Sequence, residues 1–204
     1  MYIPKNYQTT DRAEIVAFMQ RHSFAAIITA KDQLPVATHL PFVVTRQDDD
    51  TIRLISHFAR ANPQWQQVAA FPVLVVFSEP HAYVSPSHYD SEQSVPTWNY
   101  FAVHAYGQGR LLTEPAQTLG VLEATIATYE ASYQQQWEQL PAEFKTNMAR
   151  GIVAFEITVT ELQAQKKMSQ NKSAAEQQRI IHTLTASKDG AARELAHYMQ
   201  LNQL

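Results

Sequence analysis

Apolar and polar residues alternate in several stretches of the chain and recur with helical spacing in others. Phe24–Ala30 (FAAIITA), Pro35–Thr45 (PVATHLPFVVT), Thr51–His57 (TIRLISH), Tyr100–Leu112 (YFAVHAYGQGRLL) and Gly151–Leu162 (GIVAFEITVTEL) read as strands. Successive side chains of a strand point to opposite faces, so alternation marks one buried face. Val73–Phe77 (VLVVF) is apolar throughout and reads as a strand buried on both faces. Pro41 marks a bulge or a sheet edge, since proline cannot donate to a ladder. Lys31-Asp32-Gln33 and the acidic Gln47–Asp50 read as turns, so the first three strands predict an antiparallel meander.

Helical spacing follows Asp11, where Glu14 completes a capping-box pattern and Ile15, Phe18 and Met19 fall on one face. Asn62-Pro63 predicts a short helix running through Trp65 and Val68 to Ala70, with Pro63 at its first position. Pro115 predicts a long helix to Tyr133, on Leu119, Leu122, Ile126 and Tyr129, and Pro141–Arg150 a second. The tail from Ser173 to Leu204 reads as helical, broken near Ser187–Gly190. Strands with few helices between them predict a mainly β (α+β) protein: an antiparallel β-barrel with peripheral helices. The expected organisation is a barrel domain over 1–165 and a C-terminal helical extension over 166–204, packed on the barrel.

Composition narrows the chemistry. The chain has 204 residues and no cysteine, which excludes disulfides, zinc thiolates, iron–sulfur ligation and a cysteine nucleophile. That suits a reducing cytoplasm. The N-terminus MYIPKNYQTTDR lacks the apolar core of a signal peptide, and no apolar run reaches membrane-spanning length. A net charge of −3 gives the whole protein no general attraction for polyanions. Only five glycines are present; Gly107 and Gly109 lie in a strand pattern without a third partner, so a Rossmann or P-loop site is not expected.

The densest aromatic stretch is His81–Tyr100 (HAYVSPSHYDSEQSVPTWNY), directly after the strand at 73–77. Aromatic rings with polar tips suit a surface that is dry on one side and hydrogen-bonded on the other. On residue type alone the stretch is either a wall for a flat ligand or a subunit, or a rigid loop packed over its own core.

His81-Ala82-Tyr83-Val84-Ser85-Pro86 and Val95-Pro96-Thr97-Trp98-Asn99-Tyr100 resemble the signature of the PaiB-like family, the FMN-binding negative transcriptional regulators. Met1-Tyr2-Ile3-Pro4, His57-Phe58-Ala59-Arg60-Ala61-Asn62-Pro63-Gln64-Trp65 and Lys167-Met168-Ser169-Gln170-Asn171-Lys172 match as well, in family order and across nearly the whole chain. The resemblance implies an FMN-binding split barrel that dimerises with the flavin between subunits. The family pattern has Leu where this chain has Met168 and Arg where it has Lys172. Lysine keeps that charge but loses the bidentate fork.

The resemblance also selects candidate site residues. Arg60 and Asn62 stand where split-barrel flavoproteins place phosphate-binding groups. On its own that stretch reads better as an ordinary capped helix with a surface arginine, and the resemblance reverses that. His57 either donates to the same phosphate or packs. Thr38, His39 and Leu40 stand where related barrels meet the isoalloxazine edge, and His39 is equally readable as a core histidine. Lys167, Ser169, Gln170 and Asn171 lie in a basic block, net +3 over 166–179, that offers further flavin contacts or a solvated helix start capped by Ser169 or Asn171. Tyr83, Ser85, Trp98 and Asn99, with Tyr89, are expected near the flavin cleft and the dimer interface.

The eight histidines form no i, i+4 pair backed by carboxylates, so no metal site is expected. Three functional readings follow. The first is a flavin protein acting in redox chemistry or as a flavin-responsive negative regulator; whether it is an enzyme stays open, since no acid, base or nucleophile stands out and the chemistry would be the cofactor's. The second is a DNA- or partner-binding repressor without flavin chemistry. Direct DNA binding is doubtful, because basic residues cluster only at 166–179 and no helix-turn-helix pattern appears. The third is a haem-binding split barrel with His182 or His197 as ligand.

Overall fold

The computed structural model describes residues 1–201. Eight strands form one antiparallel sheet: β1 (Phe24–Lys31), β2 (Leu34–Pro41), β3 (Val43–Arg46), β4 (Ile52–Ala59), β5 (Pro72–Phe77), β6 (His81–Val84), β7 (Thr97–Leu112) and β8 (Ile152–Lys167). The spatial order is β2-β1-β5-β7-β8-β4-β3, with β6 paired to β7 off this path. The alternation predicted an antiparallel barrel and the resemblance a split one, and this is the split-barrel architecture. Among the described residues seven α-helices accompany it: α1 (Arg12–Arg21), α2 (Trp65–Val68), α3 (Pro115–Tyr129), α4 (Gln134–Gln139), α5 (Ala142–Ala149), α6 (Ala174–Thr185) and α7 (Gly190–Leu201).

Several details differ from expectation. The run 35–45 is two strands, because Phe42 turns fully into the core between them. β2 pairs with β1 and β3 with β4, and β2 and β3 are not sheet neighbours, so the three do not form a simple meander. The long helix stops at Tyr129 and gives way to a 3-10 turn at Ala131–Tyr133. The last strand continues beyond Leu162 to Lys167, carrying the basic block to the sheet's end. The tail breaks between α6 and α7 where the sequence placed the break; its final residues 202–204 lie outside the described residues.

The chain divides into two compact units: one of residues 1–15, 78–103 and 163–204, the other of 16–77 and 104–162. The second unit holds the aromatic core. Phe58 stacks on Phe155 at 4.9 Å between ring centroids, and Phe42 meets Phe155 and Phe77 at 6.2 and 6.1 Å. Burial of a phenylalanine ring stabilises by about 1.5–3 kcal/mol. Gly107 and Gly109 are dictated by packing: a Cβ on Gly107 would stand 2.4 Å from the Thr158 carbonyl oxygen, and one on Gly109 2.2 Å from Val68. A polar knot sits in the same unit. Gln64, fully buried, donates to the Ile27 and Val36 carbonyls and the Thr29 hydroxyl, and accepts from Thr38.

Candidate functional site

In the first unit, β6 and β7 form a hairpin in which His81 pairs with Tyr100, Ala82 with Asn99, Tyr83 with Trp98 and Val84 with Thr97. Alternation along these strands sorts the side chains onto two faces. One face carries His81, Tyr83, Trp98 and Tyr100. The other carries Ala82, Val84, Thr97 and Asn99. Trp98 and Asn99, taken together as one site in the sequence, therefore serve opposite sides of the same strand.

The side bearing Thr97 and Asn99 holds a polar cradle. Asn99 is fully buried, donates to the Ser169 hydroxyl at 2.9 Å and accepts from it at 3.2 Å. Its amide also reaches the Met199 sulfur at 3.6 Å. Ser169 takes a left-handed backbone, φ 59°, and this turn swings the chain from β8 back over β7. Gln170 closes the turn, accepting from the Met168 amide at 2.7 Å and donating to the Lys166 carbonyl. The Lys167 ammonium bonds the Thr97 hydroxyl and lies 5.8 Å from the Tyr7 ring centre. The Lys172 ammonium lies 3.6 Å over the Tyr89 ring. Between them is a cavity of about 310 Å³, lined by Tyr7, Tyr89, Pro96, Thr97, Lys167, Ser169, Asn171 and Lys172 among others. That is at the lower end of the roughly 300–1,000 Å³ of small-molecule pockets.

Electrostatics suit an anion. Burial lowers the Lys167 pKa, because an ammonium withdrawn from water and facing no carboxylate is costly. A phosphate arriving there would relieve that cost. Burial raises the Tyr89 pKa, with Glu176 and Tyr7 adding in the same direction, so its phenol remains a donor. The wall at Tyr89 is tied down from α6. The Ser173 hydroxyl and Glu176 form a reciprocal capping box at the start of this helix. The Glu176 carboxylate also accepts from the Asp90 amide at 3.0 Å, and Arg179 donates to the His88 carbonyl and the Asp90 carboxylate. Ser173 is thus the cap, not Ser169 or Asn171.

The opposite face of the hairpin is aromatic and open. Tyr83 and Trp98 are about half exposed, at 51% and 52%, with their rings edge to face at 6.0 Å. His81 lies 5.8 Å from Trp98. Ser85 is a local cap: its hydroxyl accepts from the amide and hydroxyl of Ser87.

The remaining candidates belong to the second unit. Asn62 donates to Thr38 and accepts from the Gln64 amide, so both candidates belong to the Gln64 knot. The helix expected from Asn62-Pro63 is only Trp65–Val68, with Gln64 at its N-cap. Arg60 is exposed and donates from Nε to the Arg150 carbonyl and from Nη2 to the Ile152 carbonyl, both at 2.7 Å. Two faces of its fork are thereby used by main chain. His39 is exposed on β2, stacked 6.3 Å from Phe24, and Leu40 beside it is half-buried. His57 is partly buried on β4; its Nδ1 has no partner among the described residues, and burial lowers its pKa.

Comparison with known proteins places the chain. Residues 1–161 match the family described as "Putative FMN-binding domain". The chain is 37% identical over 203 residues to "Protease synthase and sporulation protein PAI 2" of Bacillus subtilis, covering 98% of this chain and 97% of that protein. The chain belongs to the PaiB-like family. Among solved structures, the FAD and heme binding protein from Mycobacterium smegmatis aligns with a TM-score of 0.64 at 15% identity, over 85% of this chain and 79% of that one. The flavocytochrome Anf3 from Azotobacter vinelandii aligns at 0.61 and 13%, over 81% and 72%. At such identities these two establish the PaiB-like chain's fold, the flavin split barrel, and nothing finer.

The sequence marked Lys167, Ser169 and Asn171 for this cradle, and the cavity gathers all three. It did not mark Tyr7, whose position depends on the N-terminal segment pairing with β8 through Gln8 and Gln165. Lys172 and Tyr89 sat inside matched or aromatic stretches, and only the fold shows that one lies over the other.

Proposed function

We propose that the protein binds FMN, with the phosphate in the cradle between Lys167 and Lys172, and works as a flavin-dependent redox protein or a flavin-responsive negative regulator of transcription. The observation that carries this reading is the pair of ammonium groups at one cavity, flanked by the Thr97 and Ser169 hydroxyls; no carboxylate lines the cavity, and Glu176 acts on Lys172 only from outside it. Two cations and several hydroxyl donors complement a phosphomonoester dianion. Bound FMN would supply one- or two-electron transfer. The chain would contribute the anion seat, the tyrosine walls of Tyr7 and Tyr89, and exclusion of water on the buried Asn99–Ser169 side.

The reading includes a homodimer. An exposed aromatic hairpin face needs a cover, and a second copy offers one that also closes the flavin site. The exposed His39 and Arg60 are retained as flavin contacts in that assembly, with Thr38, Leu40, His57 and Asn62 as the scaffold beneath them. A cytoplasmic location fits a chain without cysteine. None of the described helices is long and apolar enough to cross a membrane.

The visible spectrum of the purified protein is the first test. Oxidised-flavin bands that persist through desalting are expected, with FMN released on denaturation. A Soret band, or FAD as the released flavin, would overturn the FMN assignment. Trp98→Ala is expected to weaken both dimerisation and FMN retention in sedimentation experiments. A wild-type protein that stays monomeric at high concentration while holding FMN would refute the dimer.

A further inference from the structure

Two adjacent lysines near the end of β8 meet different partners. Lys166 forms an ion pair with Glu14, whose carboxylate also accepts from the Thr9 hydroxyl. Lys167, half-buried, makes no ion pair among the described residues. Its Nζ donates to the Thr97 hydroxyl and has the Tyr7 ring beside it. Burial that makes an ammonium costly leaves more of the neutral amine at a given pH. A neutral lysine amine is a nucleophile toward a carbonyl carbon. With one N–H held by Thr97, its lone pair is free to turn into the cavity.

The rest of the cavity specifies what that amine would meet. Lys172, with Tyr89 beneath it, supplies a second cation for a phosphate. Gln93, Ser94 and Asn171 line the same space with hydroxyl and carboxamide groups, and no acidic side chain lines it. Groups that both donate and accept suit the hydroxyls of a short polyol chain. A cavity of ~150 Å³ already holds a benzene ring, so one of about 310 Å³ accommodates such a chain with its phosphate.

We propose that the cradle also captures a short-chain aldose phosphate, its phosphate on Lys172 and its aldehyde carbon bound to Lys167 as an imine. The nitrogen lone pair adds to the carbonyl carbon. The carbonyl oxygen takes both amine hydrogens and leaves as water, and a C=N bond remains. No electrons are exchanged, and hydrolysis reverses the step. The inference rests on the phosphate seat of the proposed function and not on the flavin; FMN and the aldose phosphate would exclude each other from that seat.

The test treats the full-length protein with D-glyceraldehyde 3-phosphate and cyanoborohydride, which reduces imines to stable amines, and locates the adducts by peptide mass spectrometry. Lys167 is expected to be modified about tenfold or more over any other lysine. Glyceraldehyde without the phosphate should lose that preference. So should Lys172→Ala, whereas Lys172→Arg should keep it. Glycerol 3-phosphate, which has no aldehyde, should protect Lys167. Adducts spread evenly over the lysines, or a preference for Lys167 that ignores the phosphate, overturn the proposal. A parallel FMN titration separates the two readings. FMN binding without a Lys167 adduct sinks the imine and leaves the flavin standing; a selective Lys167 adduct without FMN binding supports the imine and removes the flavin.

Discussion

Lys172→Ala isolates the cradle's charge with little collateral damage. The Lys172 main-chain amide, which donates to the Ser169 carbonyl at 3.0 Å, is unaffected by the change, so the turn survives. What is lost from the folded protein is the ammonium over the Tyr89 ring. A contact of that kind at a partly exposed site is worth about 0.5–1 kcal/mol, which predicts a melting point lower by only about 1–4 °C. What is lost from the complex is a charge-assisted contact to phosphate, about 1.5–3 kcal/mol, so FMN affinity should fall about ten- to a hundredfold. Titration followed by quenching of flavin fluorescence, with FMN and riboflavin in parallel, separates the two effects. Riboflavin lacks the phosphate and should bind wild type and variant alike. The gap between the proteins for FMN should narrow as salt rises, and Lys172→Arg should restore most of the affinity. Equal losses for FMN and riboflavin, or no loss for FMN in a folded variant, would refute a phosphate at Lys172.

Other substitutions probe the scaffold. Asn99→Ala strands the buried Ser169 hydroxyl and should cost about 2–3 kcal/mol in urea unfolding; a loss under half a kcal/mol would deny the buried pair any role in holding the turn. Gly120→Ala should raise stability by about 1 kcal/mol, since its Cβ meets nothing, whereas Gly107→Ala should be strongly destabilising because its Cβ collides with the Thr158 carbonyl. Both are read by the same melts, and an inverted order would contradict the packing described. His57 predicts a pH dependence. Burial holds its folded pKa below the ordinary 6.5, so the unfolded chain takes up the proton first. Its contribution is complete above about pH 6.5 and declines as the pH falls from there through the folded value. His57→Phe should flatten that part of the stability–pH curve, and an unchanged slope would assign it to other groups.

Alternation carried most of the fold. β1 and β4 bury every second residue as the sequence implied, whereas β5, apolar throughout and expected to be buried on both faces, fully buries only every second residue. β2 did not follow: most of its residues are exposed, so its apolar pattern marks no buried face. β6 was hidden inside the aromatic stretch because four residues give too short a run to read. Half of the cradle was legible because Lys167, Ser169 and Asn171 fall at alternate positions of one short block. Tyr89 was expected near a cleft from its aromatic stretch alone, but Tyr7 was not marked, since it reaches the cavity through a pairing distant in the chain. The sequence showed Arg60 as a guanidinium beside a helix start; only coordinates show that two of its donors, Nε and Nη2, are held by the Arg150 and Ile152 carbonyls. Gln64 had no sequence signal, as a buried glutamine is recognised by its partners alone.

The fastening of the Tyr89 wall to α6 has a kinetic meaning. His88 and Asp90 are held by Glu176 and Arg179 through bonds internal to the protein. Such bonds fix the wall without help from a ligand, so association should not wait for a loop to fold. Changes inside the cradle should therefore be expressed mainly as shorter residence times, with arrival rates nearly constant. Cutting the fastening, as in Glu176→Ala, should instead slow arrival, because the wall must then be found anew at each encounter.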